Sequence, residues 1–356
     1  VTSFITTTQS NTKVSLLFRF DASGQIGIGH AFRCMALIEV LSLQDNITCF
    51  VIARSLPDFI IKKLEALKAK LLMLDNDVEL TFEIDSIKKF ASQHQVTAIV
   101  LDGYQFDVQY RQALYASNLH VIAFDDSNEL ENLYCDLVIN ALPFASSIGY
   151  EKSAPQATHL LGLEYSIIRQ EFLQQEVITF KKRNKLLVNF GGSDVANLTF
   201  SLVTKLLDLE LIDSPEDIIV ITGGAYSSPE KMNLLALKFG FQHIHNCQNM
   251  AEILPQCKLA ICAPGSIVYE LAFCGVPSIF LTVADNQLLS AQAHQNIGWC
   301  KVENGLENQG IEHALLHLSQ LWSAPSELMK LLEIAINLID GKGVKRICSA
   351  IKDLLI

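Results

Sequence analysis

Short, nearly continuous apolar runs alternate along the chain with longer stretches in which apolar residues recur at three- and four-residue spacing. The first run, residues 14–20, breaks into the glycine-rich turn Ser23-Gly-Gln-Ile-Gly-Ile-Gly29 and then opens a helical pattern at His30. Strands are predicted at 48–53, 98–102, 120–125 and 137–140, with helices at 56–69 and 108–116 and a less regular stretch from 159 toward Phe172. Strands separated by helix-length patterns predict parallel βα units. The pattern restarts at 185–189, leads into Phe190-Gly-Gly-Ser-Asp194, and continues with a helix at 198–209 and strands at 217–222, 241–245, 259–262 and 277–280. A helix over 267–273 ends at Gly275, with Pro277 opening the next strand, the residue order of a helix C-terminus. The last helical patterns, 326–339 and 344–355, either pack on the second unit or return across the first.

The fold class expected is therefore α/β, with two Rossmann-like domains whose parallel sheets face a central cleft. The first spans 12–172 and the second 184–340, with a C-terminal helix over 341–356 whose packing the pattern leaves open. Ligands bind such sheets at the carboxyl ends of the strands. Gly27, Gly29, Gly191 and Gly265 all follow predicted strands, which places them to converge on one cleft.

The length of 356 residues exceeds what one core usually supports, and half the residues are apolar, so two buried cores are affordable. A formal net charge of −11 with no basic stripe excludes a nucleic-acid backbone as partner. The small basic run 181–185 reads as a solvated inter-domain segment. Nine cysteines without a Cys-x-x-Cys pair read as reduced, mostly buried thiols of a cytosolic protein. No apolar run reaches transmembrane length, and residues 1–10 form a polar extension without the features of a signal peptide. The expectation is a soluble, cytoplasmic protein, monomeric by default.

Candidate chemistry clusters at the strand-to-helix turns. His30 is the readily titrated side chain of the first turn, and free amides at a helix start favour an anion. Gly191, Gly192 and Ser193 suit a phosphate oxygen, whereas Asp194 reads as an N-cap. Gly265 and Ser266 open a second such junction, where a diphosphate fits, and Glu270 lies one turn along the same face. A carboxylate there can accept both hydroxyls of a ribose. Asn286 and Gln287, after Asp285, offer donors and acceptors for sugar hydroxyls or amides. Asp102-Gly-Tyr104 ends a first-domain strand, where the tyrosine can stack on or hydrogen-bond to a sugar. Asp125-Asp126 reads as turn capping in preference to a metal site. His313 and His317 share a helix face, but no third ligand is evident, and His243 and His245 fail the same test. No metal and no cofactor is expected.

Taken together, these motifs are specific. Arg19-x-Asp21-x-Ser23 with Ile26-Gly27-x-Gly29-His30-x-x-Arg33-Cys34 resembles the opening of the nucleotide-sugar hydrolases of pseudaminic acid biosynthesis. Asp102-Gly-Tyr104, Gly162-Leu-Glu-Tyr165 with Arg169-x-Glu-Phe172, Gly191-Gly-Ser-Asp194, Gly265-Ser266, Glu270, Gly275-Val-Pro-Ser278 and Asn286-Gln287 continue the match in order. The resemblance covers roughly residues 14–340 and implies a GT-B-like fold similar to that of the peptidoglycan N-acetylglucosaminyltransferase. It also implies hydrolysis of UDP-2,4-diacetamido-2,4,6-trideoxy-β-L-altrose to UDP and the free sugar, with inversion at C1. By the same resemblance, His30 is the catalytic residue that activates or positions water. Asp21, Gly29, Arg33, Tyr104, Asn286 and Gln287 are implied to contact substrate. Gly191, Gly192, Ser193, Gly265, Ser266 and Glu270 are implied to hold the nucleotide diphosphate, with Glu270 on the ribose. Asn140-Ala-Leu-Pro143 and Gly162-Leu-Glu164 depart from the family pattern. A hydrolase of another nucleotide-activated diamino sugar and a glycosyltransferase of the same fold are the competing enzymes, and a sugar-nucleotide sensor is the non-enzymatic alternative. A transferase calls for a groove or apolar membrane-facing patch on the first domain, and residues 54–90 hold no basic, aromatic-rich amphipathic segment that marks one.

Overall fold

The computed structural model describes residues 13–23, 26–75, 79–176 and 178–355. The polar extension 1–10, together with Gly24 and Gln25 of the first turn, lies outside them.

The N-terminal unit runs β1 (Val14–Phe20), α1 (Gly29–Ser42), β2 (Ile47–Ala53), α2 (Asp58–Ala66), β3 (Lys70–Met73), α3 (Leu80–His94), β4 (Ala98–Asp102), α4 (Val108–Tyr115), β5 (His120–Phe124), β6 (Leu137–Asn140), α5 (Tyr150–Ser153) and β7 (Thr158–Leu161). The short helix α6 (Gln170–Leu173) lies on the passage to the C-terminal unit. That unit runs β8 (Lys185–Asn189), α7 (Leu198–Asp208), β9 (Ile218–Thr222), α8 (Pro229–Phe239), β10 (Gln242–His245), α9 (Met250–Ile253), β11 (Cys257–Cys262), α10 (Ile267–Phe273), β12 (Ser278–Thr282), α11 (Asp285–Ile297), β13 (Cys300–Asn304), α12 (Gly310–Trp322) and α13 (Pro325–Ile336). A final helix, α14 (Gly343–Leu355), closes the chain.

The strand order is β3-β2-β1-β4-β5-β6-β7 in the first sheet and β10-β9-β8-β11-β12-β13 in the second. The strand pairs are parallel, as the near-continuous apolar runs require, since such strands are buried on both faces. Leu16, Phe18 and Val100 face one layer of helices, while Leu17, Ile99 and Leu101 face the other. In each sheet the chain first winds outward from the middle strand and then returns to wind the other way. The reversals, between β1 and β4 and between β8 and β11, each leave a crevice at the strand ends. Phe20 is in register with Asp102 across the first reversal, and Asn189 with Cys262 across the second.

The open question of the last helix has a definite answer. Val344, Ile347, Cys348 and Ile351 of α14 join the core of the N-terminal sheet beside Leu37 and Leu41 of α1. Gly343 passes so close to the first unit that a Cβ there would lie 2.1 Å from the Ser166 carbonyl oxygen. Arg183, within the run expected to be solvated, is instead buried: its guanidinium donates to the carbonyls of Cys274 and Gly275 at 2.9 and 2.8 Å. Those are the free carbonyls at the end of α10, where Gly275 adopts φ +61° and Val276 N–H bonds back to Leu271, the Schellman arrangement. The nine cysteines are unpaired, and most are buried. Among the described residues no helix is long and apolar enough to cross a membrane.

Candidate active site

The first crevice concentrates charge. His30, Arg33 and Cys34 occupy the first turns of α1 at three- and four-residue spacing, so they present one face, and that face meets Asp102 at the end of β4. His30 Nδ1 lies 2.5 Å from Asp102 Oδ1, Arg33 donates through Nε to Oδ2 and through a terminal nitrogen to Oδ1, both at 2.6 Å, and the Cys34 thiol reaches Oδ2 at 3.6 Å. Asp102 has no exposed surface, and burial alone would raise its pKa. The Arg33 cation outweighs that, with help from His30, and holds the carboxyl well below the usual carboxylate range. An ionised carboxylate only accepts hydrogen bonds. Nδ1 of His30 therefore donates to Asp102, and Nε2 is the ring nitrogen turned away from that carboxylate.

The rest of Arg33 is engaged as well. Its other terminal nitrogen donates to both oxygens of Asp126 at 3.0 Å, and its guanidinium lies 4.6 Å over the Phe124 ring. Tyr104, 67 % exposed, stands edge-on to the His30 ring at 5.1 Å, with its hydroxyl 3.5 Å from Asp126. Asp21, just past the end of β1, is buried. Its oxygens accept from Arg54 and Ser55 N–H groups and from the Arg19 and Gln105 side chains, tying together the ends of β1, β2 and β4. The structure thus gives both Asp21 and Arg33 protein partners. Asp125 caps a turn by accepting from Asn128 N–H and the Tyr150 hydroxyl, both at 2.7 Å.

The second crevice is built from backbone. Gly191 adopts φ +80°, and Gly192 packs against Gly223, where a Cβ would lie 2.4 Å from the Gly192 Cα and oxygen. The Ala225 N–H also donates to the Gly192 carbonyl. Ser193 is half-buried in this turn. Asp194 accepts from the N–H groups of Leu198 and Thr199 at 2.9 and 2.8 Å, so it caps the first turn of α7 from outside it, while Asn197 holds the N-cap position expected of Asp194. Gly265 and Ser266 are exposed at the start of α10. A Cβ on Gly29 would lie 3.8 Å from Ser266 Oγ, so the first turn of α1 and the first turn of α10 face each other directly across the cleft. Asn286 is exposed at the start of α11, while the Gln287 side-chain oxygen accepts from Val283 N–H at 2.9 Å.

Glu270, on α10, is mostly buried and forms a two-pronged pair with Arg169, from Nε to Oε1 at 2.7 Å and from a terminal nitrogen to Oε2 at 3.1 Å. Burial raises the Glu270 pKa, and Arg169 opposes that rise.

Two side-chain pairings escaped the reading of the sequence. Asp102 was visible as a strand end and as part of a motif in which only Tyr104 was given a role, and its pairing with His30 depends on β4 lying beside β1, an adjacency the Rossmann strand order would have supplied. Arg169 was visible only as part of a motif with no assigned role. The His313–His317 face does have an acidic neighbour: Glu303 of β13 lies 3.3 Å from His313 Nδ1 and 2.8 Å from His317 Nε2. Even so, no group of three or more His, Cys, Asp or Glu among the described residues is arranged to hold a metal. His243 and His245 both meet the Thr222 hydroxyl.

No protein-family model matches the sequence. The chain is 25 % identical over 272 residues to an uncharacterized protein of Methanocaldococcus jannaschii, a match spanning 73 % of this chain but only 54 % of that protein. It is 25 % identical over 266 residues to the UDP-2,4-diacetamido-2,4,6-trideoxy-β-L-altropyranose hydrolase of Campylobacter jejuni, covering 72 % of this chain and 87 % of that one. Among solved structures it superimposes on the Acinetobacter baumannii MurG with a TM-score of 0.69 at 17 % identity, over 96 % of this chain and 99 % of that one. It also superimposes on the Neisseria meningitidis UDP-GlcNAc 2-epimerase bound to UDP-GlcNAc, with a TM-score of 0.63 at 12 % identity, over 96 % of this chain and 100 % of that one. The two parallel, helix-flanked sheets that face each other across the cleft are a GT-B-like pair of Rossmann-like units.

Proposed function

We propose that the chain is an enzyme that processes a UDP-sugar between its two sheets. More specifically, it hydrolyses UDP-2,4-diacetamido-2,4,6-trideoxy-β-L-altropyranose to UDP and the free sugar, with inversion at C1. The observation that supports this reading most is the His30–Asp102 pair at 2.5 Å, set opposite the glycine-serine turn of the second unit. In this mechanism His30 Nε2 accepts a proton from water as the water oxygen bonds to C1. The C1–oxygen bond to the β-phosphate breaks, and UDP leaves with the electron pair. A single displacement from the face opposite UDP inverts C1. Asp102 fixes the tautomer of His30 and steadies the imidazolium that forms. Amides at Gly265 and Ser266, with Gly191, Gly192 and Ser193 opposite, receive the diphosphate and the charge that develops on it. Glu270 takes the ribose hydroxyls. Tyr104, Asn286 and Gln287 line the sugar side, and Gly29 leaves room for the substrate to approach. The similarity to the Campylobacter jejuni hydrolase, which is named for this activity, supports the choice of substrate.

Time-resolved proton NMR of the protein with that UDP-sugar tests the reading. The expected result is release of UDP with an initially inverted free sugar, lost in His30→Ala. One observation favours a second reading, transfer to an acceptor: Leu72 of β3 and Phe82 of α3 leave apolar surface 36 and 65 % exposed on the first unit, where an acceptor's lipid could rest. Tight UDP binding without turnover until a hydroxyl acceptor is added would decide for transfer.

A further inference from the structure

Arg169 belongs to neither sheet, yet it touches both halves of the cleft. Its guanidinium lies 4.9 Å over the Phe32 ring and 5.0 Å over the Phe172 ring. Phe32 is on α1, two residues past His30; Phe172 is on α6. The edge of the same guanidinium grips Glu270 of α10 through two hydrogen bonds, and its remaining nitrogen pairs with Glu171 at 2.6 Å. One planar group thus joins the helix that bears His30 to the carboxylate at the other end of the cleft.

Resting on the reading above, we propose that Arg169 is a positioning residue that aims Glu270 at the nucleotide ribose and couples nucleotide binding to the placement of the His30 helix. A carboxylate has about four lone-pair positions. Arg169 uses one on each oxygen, so Glu270 can still accept two vicinal hydroxyls while Arg169 holds it. The planar fork sets the rotation of the carboxylate in a way a lysine cannot. Arg169 also opposes the burial that raises the Glu270 pKa. The other titratable groups around the pair are Glu171 on α6, Glu39 of α1 facing it, Cys247 ahead of α9 and Cys274 at the end of α10. Lys63 lies beside Glu39 and Arg183 beside Cys274, but the cation that acts on Glu270 is Arg169. Without Arg169, Glu270 takes up a proton more readily as pH falls and ceases to accept both hydroxyls.

The test is UDP affinity by titration calorimetry at pH 8 and pH 6.5, together with steady-state hydrolysis, for wild type, Arg169→Gln, Arg169→Lys and Phe32→Leu, each checked for folding by circular dichroism. Arg169→Gln is expected to weaken UDP binding ~10- to 100-fold, the scale of lost charged hydrogen bonds, with a larger loss relative to wild type at the lower pH. Arg169→Lys keeps the charge but not the fork, and it should retain the wild-type pH ratio while losing several-fold affinity. Phe32→Leu should leave UDP affinity within about twofold and lower kcat. A folded Arg169→Gln protein whose UDP affinity and kcat both stay within twofold of wild type would overturn the proposal. Should that variant fail to fold, unchanged affinity in Arg169→Lys together with unchanged kcat in Phe32→Leu overturns it equally. Wild-type protein that binds no UDP would instead overturn the functional reading, however the variants behave.

Discussion

The two sheets share one winding order and one kind of crevice, yet they furnish it in opposite ways. At the β1/β4 reversal the side chains are charged and interlocked: His30, Arg33, Asp102 and Asp126 form one hydrogen-bonded chain. Beneath it Arg19, Asp21, Arg54, Glu83 and Tyr110 form a second, buried one. At the β8/β11 reversal the corresponding positions are Gly191, Gly192, Ser193, Gly265 and Ser266, and what faces the cleft is largely backbone. The shared topology supplies a place for a ligand, and the local residues determine what happens there. A fixed ion-pair network can hold a base in one tautomer, and bare turns can approach a diphosphate closely. The chemistry of the proposed reaction needs one of each.

Substitutions on the two sides should therefore fail differently. The largest effect is expected for His30→Ala, with a fall in kcat of about 100- to 10,000-fold, the usual worth of a general base, and UDP affinity within twofold of wild type. Comparable losses in both would mean that His30 serves binding. Next is Asp102→Asn, which keeps shape but frees the tautomer of His30 and leaves Arg33 with one carboxylate partner. Stopped-flow turnover should fall about 100-fold or more, and unfolding free energy by ~3 kcal/mol, the lower end for breaking a buried pair. The sign of its pH dependence follows from the depressed Asp102 pKa. Its stabilising contribution is present above the unfolded value near ~3.9 and fades as pH falls through the lower folded value. Urea titrations at pH 7 and pH 3 should thus show a smaller gap between wild type and Asp102→Asn at pH 3.

In the second crevice the vulnerable feature is the absence of a side chain. Gly223→Ala places a methyl group 2.4 Å from Gly192 backbone atoms and must displace the 191–194 turn. The expected cost is ~1–3 kcal/mol of stability, with weaker UDP binding measured by calorimetry. An unchanged melting temperature would show that the turn yields easily. The smallest effect on folding is expected at Gly29→Ala, where the new methyl meets Ser266 only at ordinary contact distance and the backbone is already helical. Its melting temperature should be unchanged or slightly raised, since alanine favours a helix over glycine by up to ~1 kcal/mol, while KM rises several-fold because the methyl occupies the gap between the two turns.

The central strands were legible because they are buried on both sides and therefore apolar without interruption. Residues 98–102, 137–140 and 185–189 were read with the limits they have in the structure. Two of the edge strands, β3 and β13, were not legible. β3 is largely exposed, and the helix read over 56–69 ran past its true end at Ala66 because Lys68, at φ +59°, turns the chain with no glycine to announce it. The helix α3 went unread although Ile84, Ile87 and Ala91 keep helical spacing, because Glu83 is buried and Phe82 is exposed, which breaks the apolar stripe. β13 escaped for the same reason as β3, since only Cys300 of its five residues is fully buried. In the candidate site, the glycine turns and His30 stood out in the sequence because their composition is local. The pairings of Asp102 and Arg169 did not, although both residues stand in recognisable motifs, because their partners are 72 and 101 residues away.

The sequence by itself determined two parallel βα units, the turns at their strand ends and the residue types those turns present, since each follows from short-range periodicity and backbone preference. Only the tertiary structure decided that Gly29 faces Ser266, that Asp102 orients His30, that Arg33 is held between two carboxylates and that the last helix returns to the first sheet. Those contacts depend on which strands become neighbours and how the two cores close on each other, and burial of surface over the whole chain settles that.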